Sequence, residues 1–164
     1  MSETQQVAIV GAGPAGLIAA DIISRAGKRV VVFEQTPSAG RKLLMAGRGG
    51  LNLTHSEPLE TFVARYGAAQ ARIRPMLEAF QPRDLIAWAE ALGQETFIGS
   101  SGRVFPKAMK ASPLLRALLA RLSQQGVQLR TRMRWTGWDE HGALSFANGE
   151  HVTASSVLLA LGGA

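Results

Sequence analysis

Cysteine is absent from the chain, so no disulfide, thiolate metal site or redox-active cysteine pair can form within it. Aromatic residues make up only 6% and no nucleic-acid-reading motif accompanies them, which argues against a nucleic-acid partner despite a formal net charge of +6. Long hydrophobic runs are missing as well. The apolar stretch from Val7 to Ala20 is too short to span a bilayer and contains three glycines and a proline. The polar start, Met1 to Gln6, lacks the basic segment of a secretory signal. A cytoplasmic protein without a membrane partner is expected. The sequence has no internal repeat and no low-complexity tract, and nothing in it fixes an oligomeric state.

What is present suits a globular domain. With 164 residues, 46% of them apolar, the chain is long enough to bury roughly 70% of its unfolded surface. Its positive charge is unevenly spread: residues 41–74 hold six basic and two acidic side chains, whereas residues 1–40 hold three of each.

The first 34 residues carry the strongest pattern. Val7-Ala8-Ile9-Val10 reads as a strand buried on both faces, and it runs straight into Gly11-Ala12-Gly13-Pro14-Ala15-Gly16. Leu17, Ile18, Ala20, Ile22 and Ile23 then give a helix its apolar side, Gly27 stops it, and Arg29 to Phe33 form a second strand ending at Glu34. In such a βαβ unit Gly11 turns the chain sharply, Gly13 lets a pyrophosphate approach the backbone, and Gly16 lets the helix pack close to the sheet. The helix N-terminus at Pro14 and Ala15 faces the phosphates. Glu34, eighteen residues past Gly16, can accept hydrogen bonds from the adenosine ribose. Dinucleotide binding follows from the order of these parts. Replacing Glu34 by alanine is expected to weaken dinucleotide binding by about 1.5–3 kcal/mol with little effect on folding, and the effect of Arg41→Ala is expected to shrink as salt rises.

After the turn Thr36 to Gly40, the stretch Arg41 to Thr54 (RKLLMAGRGGLNLT) is so dense in glycine that an ordered loop is expected rather than a regular helix or strand. Arg41, Lys42 and Arg48 in it can offset phosphate charge. Helices are expected from Pro58 to about Tyr66, from Ile73 to Phe80, and from Pro82 to a stop at Gly93. Thr96 to Ile98 and Arg103 to Pro106 flank a Gly99–Gly102 turn. Ser112 reads as the N-cap of a helix over Leu114–Gln125, with Pro113 in its first position. A parallel strand at Val127–Arg130, an antiparallel meander over Met133–Trp138, Ala143–Phe146 and Glu150–Thr153, and a last buried strand at Val157–Leu161 complete the reading. His55, His141 and His151 form neither a metal-ligand nor a triad pattern.

An NAD-type dehydrogenase would follow its second strand with further βα units. This chain inserts a glycine- and arginine-rich stretch, helices and a meander instead, an order that resembles the FAD-binding domain of glutathione-reductase-like flavoproteins. GRKLLMAGRGGLNLTHSE at Gly40–Glu57, GRVFPKAMKASPLL at Gly102–Leu115 and LALGGA at Leu159–Ala164 resemble the YhiN/BaiN-like (aminoacetone-oxidase-like) NAD(P)/FAD-dependent flavoproteins over essentially the whole chain. Most members carry glycine, arginine and cysteine before the asparagine of this stretch, where this sequence has Gly49, Gly50 and Leu51 before Asn52, so no role is carried over from that arginine or cysteine. The resemblance implies an α/β Rossmann fold with a small β-meander and residues 1–164 as the N-terminal part of an FAD-binding domain. A substrate domain and a C-terminal return segment would lie outside the chain, which alone is expected to be inactive. It further implies FAD along Arg41 and Lys42, with Gly47, Arg48, Gly49, Gly50 and Asn52 passing its pyrophosphate, ribityl and flavin region, adenine near the backbone of Trp135, and Gly162 and Gly163 binding the cofactor from the turn after the last strand. Core packing is the other reading of Trp135. The activity implied is that of an oxidoreductase whose flavin takes a hydride from NAD(P)H and passes electrons to a small organic substrate or oxygen. A flavin-binding sensor or scaffold without turnover is the alternative.

Overall fold

The computed structural model describes residues 6–46 and 49–163, and the chain divides into two compact units, Met1–Met45 with Leu118–Ala164, and Ala46–Ala117. Of the sequence-predicted site, Gly47 and Arg48 lie outside the described residues.

The first unit is built on a parallel sheet of β1 (Gln6–Val10), β2 (Arg29–Glu34), β6 (Gln128–Thr131) and β10 (Ser156–Leu159), in the order β10-β1-β2-β6. The order reverses at β1, whose two neighbours are the next strand in sequence and the last. The two faces of β1 and β2 are apolar for different reasons. Ala8, Val10, Val31 and Phe33 form a core with Met133, Leu144 and Phe146. Leu144 and Phe146 come from the antiparallel meander β7 (Trp135–Trp138), β8 (Leu144–Phe146) and β9 (His151–Val152). Phe33 and Phe146 meet with ring centroids 4.7 Å apart. Alternate residues Ile9 and Val32 are also fully buried, on the opposite face of a pleated strand, where Gly16 of helix α1 (Pro14–Arg25) comes within contact distance of Ile9. Alternation within an unbroken apolar run is what a strand covered on both faces requires.

Helix α6 (Ala111–Gln124) carries the chain between the units. Its C-terminal half is tied to α1 by the fully buried Asp21, which accepts from Gln125 Nε2 at 3.1 Å and lies 3.4 Å from the Arg121 guanidinium. The helix begins one residue before the expected cap, so Ser112 and Pro113 lie inside its first turn. Proline is tolerated there because first-turn N–H groups have no intrahelical acceptor.

The second unit holds an antiparallel sheet, β3 (Thr54–His55), β5 (Arg103–Pro106) and β4 (Thr96–Ile98) in the order β3-β5-β4, with helices α3 (Leu59–Ala64), α4 (Gln70–Ala79) and α5 (Pro82–Glu90). A capping box between Gln81 and Asp84 opens α5 at the expected Pro82. The expectation of an irregular Arg41–Thr54 stretch is corrected at both ends. Arg41–Ala46 is a helix, α2, because its six residues contain neither glycine nor a β-branched side chain and Gly40 stands before rather than inside it. Thr54 and His55 pair with Val104 and Arg103, a long-range pairing that two residues do not announce. Among the described residues no helix is long and apolar enough to cross a membrane.

Candidate dinucleotide site

The site is assembled where β1, β2 and β10 end. Gly11 leaves β1 at φ = +109°, and a Cβ there would lie 2.2 Å from the Ala160 carbonyl oxygen of the adjoining strand. Gly16 meets the same turn from the helix side: its Cβ would lie 1.9 Å from the Gly11 carbonyl oxygen. Both glycines are therefore required by closeness of backbone to backbone. Gly13 differs. It has nothing within 4 Å of a built Cβ, so its missing side chain leaves open space in front of the helix.

The turn is held from three sides by the end of β2 and the residues after it. The Gly11 amide donates to Phe33 O at 2.7 Å, and the Gly40 amide donates to Ala12 O at 2.8 Å. The Ala12 amide donates to Glu34 Oε2 at 2.9 Å. Glu34 Oε1 accepts from the Thr36 amide and hydroxyl, both at 2.8 Å. Glu34 thus straps the glycine turn to the loop beyond β2, and its removal would disturb the turn itself. These three donors argue against the expectation that folding is indifferent to Glu34. Thr36 and the Ala12 amide were not legible as site members, since only the folded turn brings them to the carboxylate. A carboxylate has about four acceptor positions. Three are in use, and Oε2 keeps one.

Lys42 in α2 reaches the end of β10, where Nζ donates to Gly163 O at 3.3 Å and lies beside Gly162. The structure therefore places Gly11, Gly13, Pro14, Ala15, Gly16, Glu34, Lys42, Gly162 and Gly163 around the carboxyl ends of β1, β2 and β10. Arg41 begins α2 next to Gly40 and is exposed. Gly49, Gly50 and Asn52 belong to the second unit, where the Leu51 amide donates to Met109 O and the Leu53 amide to Val104 O, leaving Asn52 exposed between them. Trp135 packs against the meander core, and its indole N–H is buried without a hydrogen-bond acceptor among the described residues.

The residues present fit a dinucleotide. Helix α1 has twelve residues, no side-chain cap and no acidic residue in its first turn, so the amides at its positive end are open to an anion. Gly13 keeps the approach clear, and a carboxylate with one free acceptor position stands at the tip of the neighbouring strand.

His55 and His151 are each engaged by neighbouring protein groups. His55 Nδ1 accepts the Glu57 amide at 3.2 Å and its Nε2 lies 2.9 Å from Ser101 O, a pairing that requires the proton on Nε2. In the meander, Ser145 Oγ and Asp139 Oδ2 both converge on His151 Nδ1, at 3.3 and 2.9 Å. A relay needs the hydroxyl on the other nitrogen.

Known proteins share this architecture. The flavocytochrome c3 fumarate reductase in its open conformation aligns with 99% of this chain and 34% of its own at 26% identity and a TM-score of 0.72. The probable fumarate reductase Ifc3 of Shewanella frigidimarina is 28% identical over an alignment 193 positions long, covering 99% of this chain and 33% of that protein. The ribosomal RNA dihydrouridine synthase of Haemophilus influenzae is 44% identical over 57 residues, covering 35% of this chain and 14% of that protein. The chain thus spans a third or less of the length of these curated relatives. A family description matches residues 5–164, and the chain belongs to the HI0933-like protein Rossmann domain family, the one to which its Gly40–Glu57 signature pointed.

Proposed function

We propose that this chain is the FAD-binding part of an oxidoreductase that draws electrons from NAD(P)H and passes them to a small organic substrate or to oxygen. The observation that carries the reading is the uncapped N-terminus of α1, opening beside Gly13 at the strand-order reversal, with the Glu34 carboxylate at the next strand tip. In open α/β sheets ligands bind at this reversal, beyond the carboxyl ends of the strands. The amides at the start of α1 hold the pyrophosphate. Glu34 Oε2 accepts one ribose hydroxyl while Thr36 and Ala12 keep the carboxylate in place. Lys42 sets a positive charge at the end of β10, on the side of the crevice away from Glu34 in the strand order. Bound FAD supplies the redox chemistry, taking a hydride and releasing electrons, and the protein supplies position and electrostatics. Relatives that bear the name fumarate reductase support a redox role.

The test is anaerobic addition of NADH or NADPH to the intact oxidoreductase of which this chain is proposed to be the FAD-binding part, saturated with FAD, followed by air. Loss of the flavin's visible absorbance and its return in seconds are expected. A bound flavin that neither nucleotide bleaches would leave a binding module without turnover, and a protein that takes up no FAD would overturn the proposal.

A further inference from the structure

The chain leaves β6 and enters the meander by crossing the carboxyl end of β2. On this crossing the Arg132 amide donates to Thr36 O at 3.2 Å and the Met133 amide donates to Glu34 O at 2.9 Å. Arg132 therefore stands beside the loop that anchors the Glu34 carboxylate. It does so at φ = +59°, in the left-handed region that disfavours any residue with a Cβ. Glycine would make this turn without strain, yet an arginine makes it. The Arg132 side chain is exposed, and among the described residues it has no ion pair, hydrogen bond or ring contact. Arg130, two residues earlier, is fully engaged, with Glu150 at 2.7 Å and the Phe33 ring at 5.6 Å. The left-handed turn sets the Arg132 and Met133 amides on the Glu34–Thr36 loop and leaves the side chain with no use inside the protein, and residues held in this conformation concentrate where a ligand is held.

Resting on the proposal that a dinucleotide lies with its adenosine ribose at Glu34, we infer that Arg132 caps the adenine, its guanidinium plane lying on the purine face. The pyrophosphate sits at the start of α1, between β1 and the helix, so beyond the ribose a cation at the end of β6 meets a ring rather than a phosphate. A planar, weakly hydrated guanidinium suits that face through stacking and cation–π attraction. Arg132 is a positioning and affinity residue for the adenosine half, and it takes no part in electron transfer.

FAD and FMN discriminate the idea, because FMN lacks the adenosine. Dissociation constants for both, measured by fluorescence titration on wild type, Arg132→Gly and Arg132→Lys, are compared with the thermal midpoint of each ligand-free protein. Arg132→Gly is expected to raise the FAD constant about 3- to 30-fold, leave the FMN constant unchanged, and hold or raise the midpoint because the left-handed turn is relieved. Arg132→Lys should recover at most part of the loss. Equal weakening of FAD and FMN, an unchanged FAD constant, or full recovery with lysine would each overturn the inference. A wild type that prefers FAD over FMN while Arg132→Gly keeps the whole preference rejects this role alone. A wild type that binds FAD no better than FMN rejects the dinucleotide site and the inference with it.

Discussion

Glu34 receives the Ala12 amide on one oxygen and Thr36 on the other, so truncating it removes the acceptor of three donors at the turn. Glu34→Ala is expected to lower the stability of the ligand-free protein by about 1–3 kcal/mol, the range for leaving such donors unpaired, and to weaken FAD binding as well. A melt of the ligand-free variant checks the first effect, and an unchanged midpoint would return Glu34 to a purely ligand-facing role. Asp139 is a carboxylate whose donors come from its own turn and from the His151 ring. The Ala143 amide, then the His141 amide and the His151 ring, hold its carboxyl below the ordinary carboxylate range. Because the folded-state pKa is the depressed one, the stabilisation is present above the unfolded value near 4 and is lost as pH falls through the lower folded value. The 139–143 turn should loosen in acid below about pH 4. Protection of the Ala143 amide against exchange, corrected for the intrinsic rate at each pH, should fall from pH 6 to pH 3 in wild type and stay level in Asp139→Asn. Neither role was legible in the sequence: an acid at a strand tip and an acid in a turn look alike until their donors are in place.

At the scale of elements, the glycine turn joins β1 to α1 and its glycines are not equivalent. Gly11→Ala would drive a methyl to 2.2 Å from the Ala160 oxygen at a left-handed φ, and separating β1 from β10 should lower stability by more than about 3 kcal/mol, as backbone clashes in a core do. Gly13→Ala meets nothing and lies at φ −80°, so stability should stay within about 0.5 kcal/mol. The added methyl enters the space in front of α1, and FAD affinity should fall about 10- to 100-fold through lost charge-assisted hydrogen bonds. Denaturant melts and flavin titrations on the two variants separate these effects. A large stability loss in Gly13→Ala would show that the space is not open. The elements were legible where period and punctuation agree, as in the Val7–Glu34 unit and in α5 behind Pro82. They were misread at α2, where glycines outside six good helix formers masked the helix.

At the scale of the molecule, the Rossmann sheet and the meander were foreshadowed by the order of apolar runs and turns, and the family by the resemblance of the Gly40–Glu57 signature. That order survives in the sequence because strand and helix preferences, and the residues that stop them, act over a few neighbouring positions. The sequence by itself determined the βαβ unit, a closing strand and the glycines at their junction; that strand was expected to be buried, but Leu158 and Leu159 are exposed because β10 stands at the end of the strand order among the described residues. Only the tertiary structure decided that β10 lies beside β1, that the Ala12 amide faces a carboxylate 22 residues away, and that Arg132 adopts a left-handed turn beside Thr36. Each of these depends on which strands become neighbours. Pairing among four parallel strands is chosen by the burial of both sheet faces together, a sum over residues far apart in the chain that no local pattern records.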